Sequence, residues 1–287
     1  MNWQNFPEEA KRAVVPKRGS FSMFDYSQIE PRFFAYYTAM PPVRDPTVAN
    51  WYREGRDVYR EIAGRVFSKA PEAVTDDERQ LGKVWFLMSL YGAGPQKMSE
   101  EIGMTLKEAK AFYKDFHAGL PMLKALSNPE PSRPDIPWIK GAIEAVYYSR
   151  REQMPDGSWS GYLQDPYGRH LHAEQWGEYK LLNKLIQGSA AGMMKASILR
   201  VYRWIRAHRE IESRMVSNVH DEILLDGPEH ELTLLHENVP VLMCDEPWFA
   251  AVVPLRVDHE VALTSWAEKI DYDEWKELHG NSHNRAA

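Results

Sequence analysis

The 287-residue sequence has a single cysteine, Cys244, so no intrachain disulfide can form and a zinc site built on thiolates is excluded. No apolar run is long enough to cross a bilayer and no signal-peptide pattern is present, so a reducing cytoplasm without a membrane partner is the expected setting. Glycine-rich phosphate loops, internal repeats and low-complexity tracts are also missing. Nor is there an excess of positive charge: 35 Lys and Arg against 41 Asp and Glu give a formal charge of −6. A nucleic-acid partner would need a local basic surface, or one supplied by another polypeptide. What remains is an ordinary globular composition, 44% hydrophobic and 26% charged, long enough for one large domain or two modest ones. The 10 Trp and 14 Tyr suit base stacking and core packing equally.

The most organised stretch is Thr75 to Gly94, TDDERQLGKVWFLMSLYGAG. Arg79, Lys83, Leu87 and Tyr91 fall four apart, and steps of four advance only about 40° around a helix, giving one slowly turning stripe about 18 Å long. Thr75 and Glu78 have capping-box spacing, and Gly92 and Gly94 are placed to end the helix. Cations at one end and a flat apolar surface at the other suit a nucleoside triphosphate; a solvated face with a core tyrosine is the plainer reading.

Two acidic turns stand far from that stripe. Ser20 to Phe24 alternates polar and apolar as a half-buried strand should, Asp25 closes it, and an apolar helix follows through Ile29, Phe33, Phe34 and Tyr37. A carboxylate at the end of an apolar strand is expensive to desolvate unless a cation meets it, although a solvated strand-end Asp is commoner. Glu30 has a structural rival role, since Ser27 and Glu30 are spaced as a capping box. The second turn, His220-Asp221-Glu222, lies between the apolar runs Met215–Val219 and Ile223–Leu225, a strand, tight turn, strand arrangement.

Between these turns the pattern predicts helices over 51–67, 75–91 and 105–117, a long connection at the prolines 129, 131, 134 and 137, and a turn at Asp156-Gly157 joining short strands. GYLQDPYGRHLH, from Gly161, reads as turn-rich. A long helix is expected from Glu178 to about Arg209, with Asn183 and Gln187 on one face. Its Gly188 to Gly192 patch of small residues would permit another backbone to approach, and Lys195, Arg200, Arg203, Arg206 and Arg209 make a basic side. A further strand over 252–261 and a charged, initially helical tail complete the chain.

Asp25-Tyr-Ser-Gln-Ile-Glu30-Pro-Arg32, then Arg79, Lys83 and Tyr91-Gly92, then Val219-His220-Asp221-Glu222 resemble, in order, motifs A, B and C of the family A (DNA polymerase I type) DNA polymerases. Asn2-Trp-Gln-Asn-Phe-Pro7 and Asn183 with Gln187-Gly188 resemble further family stretches, so the resemblance covers nearly the whole chain. It implies an α+β fold: a palm built from residues 1–38 and 176–287 around an antiparallel sheet, with a mainly helical fingers insertion over 39–175, and no thumb or exonuclease domain. It implies DNA-directed DNA synthesis by two-metal phosphoryl transfer. Asp25, the Tyr26 carbonyl and Asp221 would hold two Mg²⁺ ions, Mn²⁺ being a substitute, with Glu222 a nearby catalytic acid. Arg79 and Lys83 would meet the triphosphate, Lys83 also protonating pyrophosphate. Gln28, Leu87 and Tyr91 would complete the nucleotide site, and Glu30 would exclude a 2′-hydroxyl. Arg32, Asn183, Gln187 and His220 would contact primer-template.

The chain departs from the family pattern at four positions. Leu87 replaces an aromatic residue, Tyr179 an arginine expected to touch DNA, Asn218 a glutamine and Pro31 a leucine. The match begins just before motif A, so a separate polypeptide is expected to supply the thumb, with or without an exonuclease, as in a phage-encoded split polymerase, although a truncated chain would look the same. A single-subunit RNA polymerase, which Glu30 disfavours, and a catalytically idle DNA-binding subunit are the competing readings.

Overall fold

The computed structural model describes residues 7–127, 141–174 and 177–279. The proline-rich connection and the stretch 2–6 lie outside them. In chain order the helices are α1 (Glu8–Lys11), α2 (Ile29–Ala39), α3 (Thr47–Arg53), α4 (Val58–Phe67), α5 (Asp76–Leu90), α6 (Pro95–Ile102), α7 (Leu106–Gly119), α8 (Pro121–Leu126), α9 (Ala142–Ser149), α10 (Leu181–Ala207), α11 (Leu232–Met243), α12 (Pro247–Ala250) and α13 (Tyr272–His279). The strands are β1 (Ser20–Tyr26), β2 (Glu152–Gln153), β3 (Trp159–Gln164), β4 (His170–Glu174), β5 (Arg214–Val219), β6 (Glu222–Gly227), β7 (Val257–Ala262) and β8 (Ile270–Asp271). The fold is α+β with antiparallel sheets, as the resemblance implies. The chain divides into two compact units, residues 1–29, 193–250 and 255–287 in the first and 30–192 and 251–254 in the second. The expected boundaries after 38 and 175 both fall inside the second unit.

The first unit holds a five-stranded sheet in the order β5-β6-β1-β7-β8. Alternation in β1 predicts a half-buried strand, but this central strand is covered on both faces, and Ser20 and Ser22 are as buried as Phe21 and Met23. A buried hydroxyl needs a partner, and Ser20 donates to the Gly227 carbonyl at 2.8 Å. Phe21 and Met23 pack with Leu224, Ala262 and Trp266, while Phe24 stacks on His259 with ring centroids 4.1 Å apart. At the sheet edge β5 alternates exposed and half-buried positions, with a register shift between Met215 and Ser217. The strand expected over 252–261 is confined to Val257–Ala262, because Pro254 just upstream cannot donate to a ladder.

The second unit is mainly helical, with a three-stranded sheet in the order β2-β3-β4. The helix expected over 51–67 is two helices, split where Gly55 takes φ 67° and Asp57 caps α4 by accepting the Tyr59 and Arg60 amides at 3.1 and 3.2 Å. α5 begins with the predicted capping box: the Glu78 amide donates to Thr75 Oγ1 at 3.2 Å and the Thr75 amide to Glu78 Oε2 at 3.0 Å. It ends at Leu90, and a Cβ on Gly92, where φ is 74°, would meet the Tyr179 carbonyl at 2.5 Å. The buried side of α5 carries Trp85 and Phe86, and the Trp85 ring lies 4.4 Å from Phe112 of α7. The stretch after Gly161 is not merely turn-rich: it is the β3–β4 hairpin, whose turn is fixed by buried Asp165 accepting the Tyr167 and Arg169 amides, each at 2.9 Å. That hairpin also corrects the reading of the small-residue patch on α10. The patch receives side chains and not a backbone, for a Cβ on Gly192 would fall 2.3 Å from the Tyr167 ring.

Candidate active site

In the first unit the acidic residues converge through backbone pairing alone. Asp25, next to last in β1, lies opposite Glu222 on β6 and Asp258 on β7. The Tyr26 amide donates to the Asp221 carbonyl at 3.2 Å, which fastens the end of β1 to the β5–β6 turn. That turn has two residues, His220 and Asp221, and His220 adopts the left-handed conformation (φ 52°) that short hairpin loops demand. The Asn218 side-chain amide caps it by donating to the His220 carbonyl at 3.2 Å. Tyr26 points away from the acids: its hydroxyl meets Ser197 Oγ at 2.6 Å and donates to the Met243 carbonyl at 2.5 Å.

The convergence has an electrostatic cost. Burial, and then the charges of Asp221 and Glu222, push the Asp25 carboxyl up from 3.8 to about 7, against the pull of Lys269. Burial also raises Glu222. Partly buried carboxylates that repel one another are short of positive charge, and oxygen donors of this kind fit a hard divalent cation such as Mg²⁺ or Mn²⁺. Among the described residues a tighter acid and histidine group, Glu212, His230 and Glu231 within 4.8 Å of one another, lies elsewhere. Glu231 is committed there to structure, accepting the Glu212 and Ser213 amides at 2.7 and 2.9 Å and the Ser213 hydroxyl at 2.6 Å.

In the second unit the predicted stripe forms on α5, but each cation already has company. Arg79 Nε donates to Asp57 Oδ2 at 2.6 Å, the same residue that caps α4. The Arg79 guanidinium and the Lys83 ammonium each lie 5.5 Å from the centre of the Tyr59 ring. Leu87 is half-buried and Tyr91 exposed. The Tyr91 hydroxyl donates to Glu30 Oε2 at 2.7 Å, and the Gln187 amide donates to Glu30 Oε1 at 3.3 Å. Both Glu30 oxygens are thus engaged by residues far along the chain, and α2 starts at Ile29, one residue later than a Ser27 cap requires. Gln28, just before that helix, takes φ 56°.

Sequence reasoning placed Arg32 among the DNA contacts. It is 6% exposed, donates from Nη1 to the Pro254 carbonyl and lies 4.3 Å from the Tyr52 ring centre, so its charge is spent inside the unit. Asn183 is half-buried on α10, Gln187 is exposed there, and His220 is exposed at its turn. Of the basic side of α10, Arg200 is structural, donating to the Leu242 carbonyl at 2.7 Å and pairing with Glu246 at 2.9 Å. Asp57 and Tyr59, which hold the cations, and Lys269, which faces the acids, escaped the sequence reading. The alternation Asp258-x-Glu260 on one strand was the available signal for the acids of β7; Lys269 carried none.

The sequence model of DNA polymerase family A matches residues 2–268. DNA polymerase I of Geobacillus stearothermophilus is 28% identical over 276 residues, covering 93% of this chain and 29% of that protein. The DNA polymerase I of Lactococcus lactis subsp. lactis is 29% identical, with the same coverage. The chain therefore spans about 29% of the length of these relatives. The POL domain of Pol1 from M. smegmatis, solved in complex with DNA primer-template and dNTP, shares the fold at a TM-score of 0.70 and 24% identity, over 93% of this chain and 44% of that one. With the acid-bearing hairpin, the capped cationic helix and a match over nearly its whole length, the chain belongs to DNA polymerase family A.

Proposed function

We propose that the chain is the catalytic part of a template-directed DNA polymerase, joining deoxynucleotides to a primer 3′ end by two-metal phosphoryl transfer. The observation that carries this reading is the meeting of Asp25 with the Asp221-Glu222 turn, where burial and then mutual repulsion leave the Asp25 carboxyl at about 7. Asp25, Asp221 and the Tyr26 carbonyl would hold two Mg²⁺ ions, whose charge would offset that of the attacking and leaving oxygens. Glu222 stays beside them as an acid that shapes the local field. Arg79 and Lys83 bind the triphosphate by exchanging Asp57 and Tyr59 for phosphate oxygens, and Lys83 hands a proton to the departing pyrophosphate. Gln28, Leu87 and Tyr91 line the nucleotide's sugar and base, Leu87 giving a weaker stacking surface than an aromatic ring. Glu30, held by Tyr91 and Gln187, occupies the space a ribose 2′-hydroxyl would need. Asn183, Gln187 and His220 touch primer-template, whereas Arg32 serves the frame.

In this reading residues 1–38 and 176–287 act as palm and 39–175 as fingers, working in the cytoplasm, that of the bacterial host if the chain is phage-encoded. No described helix is long and apolar enough to cross a membrane. Primer extension with dNTPs and Mg²⁺, alone and with candidate partner proteins, tests the proposal. Synthesis that disappears in Asp25→Ala and Asp221→Ala supports it; no synthesis under any pairing, or full synthesis in either variant, overturns it. Competition between dNTPs and rNTPs separates it from an RNA polymerase, and loss of that preference in Glu30→Ala assigns the discrimination to the Glu30 contacts.

A further inference from the structure

The family match stops at residue 268, and the next residue is Lys269. From there the chain adds β8 to the sheet edge, pairing Ile270 with Val261 and Asp271 with Glu260, and then α13. This appendage is firmly seated. Tyr272 is 1% exposed, its ring centre lies 3.9 Å from that of His236, and its hydroxyl donates to Thr233 Oγ1 at 3.0 Å. Lys269 is therefore held on a fixed backbone next to the acid-bearing strands. Its ammonium pairs with Glu260 and lies 3.8 Å from Glu222 Oε2, and its charge reaches Asp25.

Each group around it is accounted for. Asp25, Asp221, Glu222, Asp258 and Glu260 are the acids of this corner; Asp258 is paired with Arg256 at 2.8 Å, and Lys11 adds a weaker positive influence on Glu222. The ammonium thus supplies positive charge beside Glu222 and Glu260 and lowers the electrostatic cost at Asp25.

We propose that Lys269 is a positioning residue that acts as the resident counter-ion of the Asp25, Asp221 and Glu222 corner, so that a divalent cation binds there against a fixed positive charge. The inference rests on the metal reading given above. Its consequence is that the chain by itself holds metal weakly and gains it when further negative charge, such as a triphosphate, arrives.

Binding of Mn²⁺ to the full chain, followed by electron paramagnetic resonance at pH 8.5 without nucleotide or DNA, tests this. Lys269→Met is expected to bind Mn²⁺ about fivefold more tightly, and Lys269→Arg to match the wild type; a purely structural role for Lys269 predicts looser binding in the methionine variant. Unchanged or weaker binding in a folded Lys269→Met, checked by its circular dichroism melt, overturns the inference, and Lys269→Gln gives a second folded comparison. Asp25→Asn and Asp221→Asn separate the two claims. If they leave Mn²⁺ binding at the wild-type level, the metal reading fails; if they abolish it while Lys269→Met changes nothing, only the counter-ion inference fails.

Discussion

The acidic corner of the first unit and the cationic stripe of the second are charged to opposite purposes and stabilised in opposite ways. The acids are brought together by strand register and a two-residue turn, so they cannot move apart without breaking the ladder, and they repel. The cations sit half-buried on one helix face and have local company without a ligand, Arg79 pairing with Asp57 and both lying over the Tyr59 ring. Electrostatic frustration is thus built into the acids and relaxed in the cations. A ligand relieves the first and must compete with local partners at the second.

The sharpest way to break this contrast is to remove an acid. Asp221→Ala is expected to lower primer extension about a thousandfold or more, measured in single turnover, because it removes one of the two side-chain ligands proposed for the metal ions. Lys83→Ala should cost about a hundredfold in kcat/KM for dNTP, less than an acid because Arg79 remains on the same stripe. Asp57→Asn sharpens the comparison from the other side. Asparagine still caps α4 but no longer pairs with Arg79, so KM for dNTP should fall about threefold with kcat unchanged.

The smallest effect is on stability. Between about pH 4 and 7 the folded, metal-free chain holds a proton on Asp25 that the unfolded chain does not, so this group lowers stability as pH rises through that window. Asp25→Asn should therefore melt about 2 °C higher than wild type at pH 8 without metal, on the order of 1 kcal/mol after solvent screening, with no difference near pH 4. A pH-independent difference in thermal melts would show that the Asp25 carboxyl is not raised in the folded chain.

Much of this was legible in the sequence because it is local. The Thr75 and Glu78 cap, the four-residue spacing of Arg79, Lys83, Leu87 and Tyr91, and the acidic turn between two apolar runs are fixed by residues within a few positions of one another. What misled was equally local. The alternation in β1 looked half-buried, since periodicity reports a strand's pattern and not how many faces are covered. Gly188 to Gly192 looked like a backbone contact because small residues signal close approach without saying what approaches. Arg32, read as a DNA contact from its place in a motif, is consumed by Tyr52 and Pro254.

By itself the sequence determined the family, the acidic and cationic residue types and the capped helix that presents the cations, because those depend on short-range spacing and residue chemistry. Only tertiary structure decided that Asp25 shares its corner with Asp258, Glu260 and Lys269, that Glu30 is held by Tyr91 and Gln187, and that Arg79 leans on Asp57. Those partners are set by strand register and helix packing between segments tens to hundreds of residues apart, and the field each charge feels falls off with distance in space, whatever the separation along the chain.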